Sequence, residues 1–150
     1  MRIVAVIVLT AATAMSASAE TASIDVLFQQ FGLFGTWALD CGQAASPANP
    51  HVSITTPSAG LVLEDHDLGH DYAVNHYNML AAERLSAERL AVQVIFQLGT
   101  EAEERQKLVF LVRDRTRRTM FNQPEGGAVR VKDGIALAHG SKTPVLRKCG

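Results

Sequence analysis

Turn signals recur along this chain about every 8 to 12 residues, and the segments between them alternate apolar with polar side chains. Pro57-Ser58-Ala59-Gly60, Pro124-Glu125-Gly126-Gly127 and Asp133-Gly134 are the clearest breaks, and the last is the pair that a tight type I′ hairpin requires. A chain interrupted this often cannot form long helices. Leu90, Val92, Val94, Phe96 and Leu98 share one face of a strand, opposed by Ala91, Gln93, Ile95 and Gln97. One short amphipathic helix precedes the strands: Ser23 is placed as its N-cap, Ile24, Leu27, Phe28 and Phe31 follow at helical spacing, and Gly32 stops it. The pattern predicts an all-β protein, an antiparallel meander barrel of about 8 to 10 strands with a short N-terminal helix.

Within that pattern, residues 34–41 form the first long strand, with Trp37, Leu39 and Cys41 on one face. Residues 43–50 read as a loop, 51–56 and 61–64 as a hairpin, and 65–69 as a turn. Tyr72, Val74 and His76 then share one face of a strand. Residues 78–91 carry two signals: Ala, Glu, Arg and Leu favour helix by propensity, while the β-rich flanks favour two strands turning near Ser86-Ala87. Strands turning there are expected. Residues 99–104 form an acidic loop, 107–113 and 116–122 pair across Asp114-Arg115, 129–132 and 135–138 across Asp133-Gly134, and 145–149 closes the chain.

The N-terminus reads as an address rather than as fold. Arg2 precedes an apolar run, and Ala17-Ser18-Ala19 supplies the small residues of a signal-peptidase site, so residues 1–19 are expected to be a cleaved secretory signal. The run is shorter than the roughly 20 residues of a spanning helix. A single domain over residues 20–150, soluble and periplasmic or secreted, follows as the expectation. In an oxidising compartment the chain's two cysteines, Cys41 and Cys149, have one possible pairing, and a bridge between them brings the first strand beside the C-terminus.

With 47% hydrophobic and 19% charged residues among 150, the chain is far from the composition of a disordered segment. Its net charge of -1 removes the general basic footprint of nucleic-acid binding, and no nucleic-acid partner is expected. Yet the charge is segregated. Residues 20–104 hold 12 acids and 2 bases, residues 105–150 hold 11 bases and 3 acids. Arg113, Arg115, Arg117 and Arg118 make the densest basic run. Either it meets an anionic partner, or a closed sheet pairs late basic strands with early acidic ones, and the second is favoured.

Gly35-Thr36-Trp37 on the first strand, after a short helix and before a meander, resembles the calycin group of small barrels: lipocalins, avidin-like proteins and bacterial protease-inhibitor barrels. The resemblance implies that Trp37 plugs the closed end and that an arginine near the last strand covers it, with Arg147 in that role and Arg130 as second candidate.

No catalytic motif is present, neither Gly-x-Ser-x-Gly nor His-Glu-x-x-His nor a phosphate-cradling loop, so an enzyme is not expected and no cofactor is called for. Glu64-Asp65-His66-Asp67-Leu68-Gly69-His70-Asp71 carries metal-ligand side chains, with His66 and His70 as candidate ligands, but it lacks a recognised spacing and reads better as a solvated turn. Two function classes remain. A barrel that binds a small apolar or amphipathic molecule predicts a pocket lined by Tyr72, Val74, His76, Phe96 and Phe110. A protein-binding barrel, such as a periplasmic hydrolase inhibitor or an envelope accessory protein, predicts a filled core and an ordered exposed loop such as residues 43–50.

Overall fold

The computed structural model describes residues 22–150, so the expected signal segment lies outside the described residues. Helix α1 (Ile24–Gln30) is followed by β1 (Gly35–Ala38), β2 (His51–Ser58), β3 (Leu61–Asp67), β4 (Asn75–Arg84), β5 (Arg89–Phe96), β6 (Glu104–Arg113) and β7 (Thr116–Pro124). Three short strands, β8 (Val131–Lys132), β9 (Ile135–Ala136) and β10 (Ser141–Lys142), lead to β11 (Leu146–Lys148). Eight strands close a barrel: β1 to β7 pair in sequence, and β11 fills the gap between β7 and β1, antiparallel to both. Strands β8 to β10 extend from β7 outside that ring.

Local chemistry accounts for the turns. Asp114 and Arg115 both take positive φ, as do Asp133 and Gly134, so both hairpins turn in the left-handed conformations that match strand twist. A β-carbon at Gly134 would lie 2.7 Å from the Arg118 guanidinium, the far end of a flexible side chain that would have to move aside. The segment of mixed signals is strand on both sides of a turn at Ser86, whose hydroxyl accepts from the amides of Glu88 and Arg89. Tertiary pairing with β3 and β6 outweighs the helical propensity of its Ala, Glu and Arg residues. Asp25, rather than Ser23, organises the start of α1: it accepts hydrogen bonds from Ser23 Oγ, from the Val26 amide and from the Gly60 amide, tying the helix to the β2–β3 turn. Ser23 makes no side-chain cap.

Several sequence boundaries differ, β1 ending at Ala38 before Leu39 and Cys41, and two of them bear on the interior. Strand β3 continues through Asp67, so Asp65 to Asp67, expected as part of a turn, pair with Ser53 to His51 on one side, and Asp65 and His66 pair with His76 and Asn75 on the other. Strand β4 begins at Asn75, which leaves Tyr72 and Val74 in the loop before it.

The barrel has unlike ends. The β2–β3, β4–β5 and β6–β7 turns gather at one end, where α1 packs Leu27 and Phe28 into one apolar cluster with Trp37, Leu33, Leu90 and Phe110. At the other end lie residues 39–50, 68–74 and 97–103, together with the β7–β8 connection. Cys41 and Cys149 are bonded, with Cα atoms 5.6 Å apart. The bridge spans the seam between β1 and β11, where Trp37–Lys148 and Ala38–Arg147 are the paired residues. Among the described residues no helix is long and apolar enough to cross a membrane.

Candidate functional site

Inward-pointing residues fill the barrel from α1 to its middle. Trp37, Phe28, Leu33, Ile54, Val62 and Val92 are all nearly inaccessible, and the Trp37 indole donates to the Leu33 carbonyl at 2.8 Å. The space inside lies nearer the mouth, as a cavity of about 320 Å³ whose walls include Glu64 and His66 from β3, Tyr77 from β4, Gln106 and Phe110 from β6, Arg117 and Asn122 from β7, and Arg130 from the β7–β8 connection.

Strand pairing explains why these side chains converge. Glu64 lies opposite Tyr77, Tyr77 opposite Phe96, Leu108 opposite Asn122 and Phe110 opposite Thr119, so one inward row of residues circles the wall. Glu64 and Arg117 meet across the interior in a two-pronged pair at 2.8 and 3.0 Å, each side chain only 4% exposed. The Arg117 guanidinium also lies over the Phe110 ring, 4.4 Å from its centroid. His66 Nε2 is 2.6 Å from Glu64 Oε1, and the His66 ring tilts against Tyr77 at 4.8 Å.

Burial raises the Glu64 carboxyl, but the Arg117 charge and then the His66 hydrogen bond outweigh it, and its pKa falls from 4.5 to about 2. Burial, with a further contribution from Glu64, pushes the Tyr77 phenol up to about 12. The carboxylate is therefore charged and the phenol neutral across the ordinary pH range.

A second chain of groups lines the opposite wall. Arg130 holds Glu104 with two hydrogen bonds at 2.6 and 2.7 Å, which keeps that carboxyl below its usual range. Glu104 accepts from Gln106 Nε2 at 2.6 Å, and Gln106 Oε1 accepts from Asn122 Nδ2 at 2.8 Å. Asn122 Oδ1 is then left buried with no hydrogen-bond partner. Burying an acceptor without a donor costs about 1 to 3 kcal/mol, so such an atom in a cavity wall calls for an explanation.

The pocket residues expected from sequence divide. Phe110 belongs to the cavity wall, whereas Phe96 lies opposite Tyr77 and packs on it at 5.0 Å between ring centroids, half-buried and away from the cavity lining. Tyr72, Val74 and His76 do not belong to it. Tyr72 is 54% exposed in a loop, and His76 faces out to pair with Asp65 at 2.7 Å. Strand period is two, so placing β4 one residue out of step exchanges its faces, and Tyr77 and Met79 are the residues that point inward. Both faces of this strand mix polar with apolar residues, which removed the usual signal.

The other candidates are also accounted for. His66 and His70 do not come together: His66 is inside on Glu64, whereas His70 is 93% exposed beside Asp71. Among the described residues no group of three or more His, Cys, Asp or Glu side chains is arranged to hold a metal ion. The basic run is dispersed by alternation, with Arg113 on Glu88, Arg115 on the Gly150 carbonyl, Arg117 on Glu64, and Arg118 on Thr143 and Gly134. Glu64–Arg117, Glu88–Arg113 and Glu104–Arg130 each join the acidic half of the chain to the basic half. At the closed end the cation over Trp37 is Lys148, 5.7 Å from the ring centroid, while Arg147 points outward and Arg130 is at the mouth.

Residues 39–50 form an ordered loop around Asn49. Its side chain accepts from the Asp40 amide and donates to the Asp40, Gln43 and Ala44 carbonyls, in a position where it is itself buried. No protein-family model, curated protein or solved structure matches the chain. The site therefore has to be read from its own chemistry.

Proposed function

We propose that this protein is an exported, periplasmic barrel of calycin-like architecture that binds a small amphipathic molecule at its polar mouth. The observation that carries the reading is the partnerless Asn122 Oδ1 in the wall of a cavity that also contains the buried Glu64–Arg117 pair. A buried ion pair adds little stability over an apolar pair of similar volume, so its presence there favours a role in recognition. The cavity volume of about 320 Å³ sits at the small end of the range for ligand sites. Val131 and Pro144 offer an apolar wall backed by Leu108, and the relays offer polar ends. Both carboxylates are held ionised by arginines, which suits them to positioning rather than to proton transfer near neutral pH. The Cys41–Cys149 bond and the Ala17-Ser18-Ala19 site support export.

Native mass spectrometry of the protein secreted with its own leader, combined with thermal shift against a library of amphipathic fragments, tests this reading. The expected result is a retained or added small molecule that Glu64→Leu/Arg117→Met no longer binds. A bare protein mass with no stabilisation by any fragment overturns it.

The loop built on Asn49 favours a second reading, a barrel that presents a rigid loop to a protein partner. A stoichiometric protein in the same spectra, lost in Asn49→Ala, would select it.

A further inference from the structure

Two relays at the mouth determine which polarity its unused atoms present. Glu104 is ionised on Arg130, so it can only accept, and Gln106 must turn Nε2 toward it. That leaves Gln106 Oε1 facing Asn122, which must answer with Nδ2, and Oδ1 becomes the free end. The amide orientations are thus set by a fixed charge rather than chosen. On the other wall, Glu64 is ionised on Arg117 and can only accept from His66 Nε2. His66 Nδ1 makes no hydrogen bond to another protein group among the described residues. The relay through Gln106 starts at an arginine-bound carboxylate and ends on an acceptor, Asn122 Oδ1.

The charges themselves are closed. Glu64 pairs with Arg117 and Glu104 with Arg130, so each of these charges at the mouth already has its counter-charge. An anion would bring a further acceptor toward Asn122 Oδ1 beside two carboxylates. A cation would lose its hydration next to two guanidinium groups without gaining a counter-charge. The Tyr77 hydroxyl, kept protonated, remains able to donate.

We infer that the mouth is selective for uncharged ligands whose polar end presents N–H or O–H donors, the carboxamide class foremost, with an apolar ring set against Val131 and Pro144. This rests on the small-molecule reading above and specifies the ligand's head group.

Three probes of nearly equal shape separate the possibilities: benzamide, benzoate and benzamidinium, titrated into the full exported protein with NMR detection at the Asn122 side-chain amide and the Tyr77 ring. Benzamide is expected to bind about tenfold more tightly than either ion, a difference of about 1.4 kcal/mol. Asn122→Leu should abolish that preference. Asn122→Ala, which removes Oδ1 with a smaller side chain, tests the same point if the leucine variant does not fold. Tighter binding of benzoate or of benzamidinium by the wild-type protein overturns the selectivity and leaves the mouth a binding site. No perturbation by any of the three probes counts against both the selectivity and the small-molecule reading.

Discussion

At the closed end, α1 lays Leu27 and Phe28 into an apolar layer with Leu33 and Trp37, and the indole N–H finds its acceptor in the Leu33 carbonyl. At the mouth, the same barrel interior holds Glu64, Arg117, Gln106 and Asn122, with one buried acceptor left over. The first arrangement is what close packing alone would select, since apolar burial and filled volume stabilise a fold without asking anything of a ligand. The second is a poor way to gain stability: desolvating two charges takes back most of what their attraction returns. The difference separates the half of the interior that makes the protein fold from the half available for recognition.

Truncation should separate the two ends most strongly. Arg117→Met leaves the Glu64 carboxylate buried without its partner and is expected to cost about 3 to 5 kcal/mol in urea unfolding, unless Glu64 protonates. Phe28→Ala is expected to cost as much, about 3 to 5 kcal/mol, by opening a cavity under α1. The two losses differ in rescue. Glu64→Leu in the Arg117→Met background should restore stability to the wild-type level or above, because it replaces an ion pair by apolar volume. A double variant as unstable as the single one would mean that the mouth is structural, and the contrast between the ends would fail.

Acid should act most strongly on the mouth. The Glu64 pKa is depressed in the folded state, from 4.5 to about 2, so its contribution is complete above the unfolded value and is lost as pH falls through the folded one. Its neighbours in that environment are Arg117, His66 and Tyr77. Stability measured by urea midpoint is expected to drop by about 3 kcal/mol between about pH 4.5 and about pH 2. In the Glu64→Leu/Arg117→Met variant that acid limb should flatten. An unchanged limb would place the acid sensitivity elsewhere.

The contrast between the ends also governs what the sequence could show. Closed-end residues follow simple periodicities: Leu27, Phe28 and Phe31 at helical spacing, Trp37 on its strand, Leu90, Val92 and Val94 alternating, and each is inward or buried as the pattern requires. The Cys41–Cys149 pairing was legible too, because an even pair has one connectivity. Mouth residues broke the pattern. Glu64, Gln106, Arg117 and Asn122 occupy inward positions where alternation calls for apolar side chains, and the sequence alone gives no reason to place a charge inside. Arg117 sat within an apparent surface patch, and Glu64 within an apparent turn. One signal was available: acids confined to the early strands and bases to the late ones imply pairing across the closed ring, and the buried Glu64–Arg117 pair is one such match. What could not be read was which acid meets which base, since that depends on the register of β3 and β7 across the barrel.

The smallest effect tests the closed end, where sequence resemblance and geometry disagree about one residue. In β11, Leu146 and Lys148 share the inward face and Arg147 points out, because successive β-carbons alternate across a strand. Lys148 lies directly opposite Trp37, its ammonium sits over the indole, and it donates to the Gly32 carbonyl at 2.7 Å, just beyond the end of α1. Those contacts are partly solvated, so Lys148→Ala is expected to cost about 1 kcal/mol. Arg147→Ala should stay within about 0.5 kcal/mol of wild type, as a surface change does. Lys148→Arg should keep most of the stability, since a guanidinium can also lie over the indole ring. If the alanine variants reverse in order, the cover over Trp37 is Arg147 after all, and β11 is registered one residue away from where its pairing with β1 and β7 puts it.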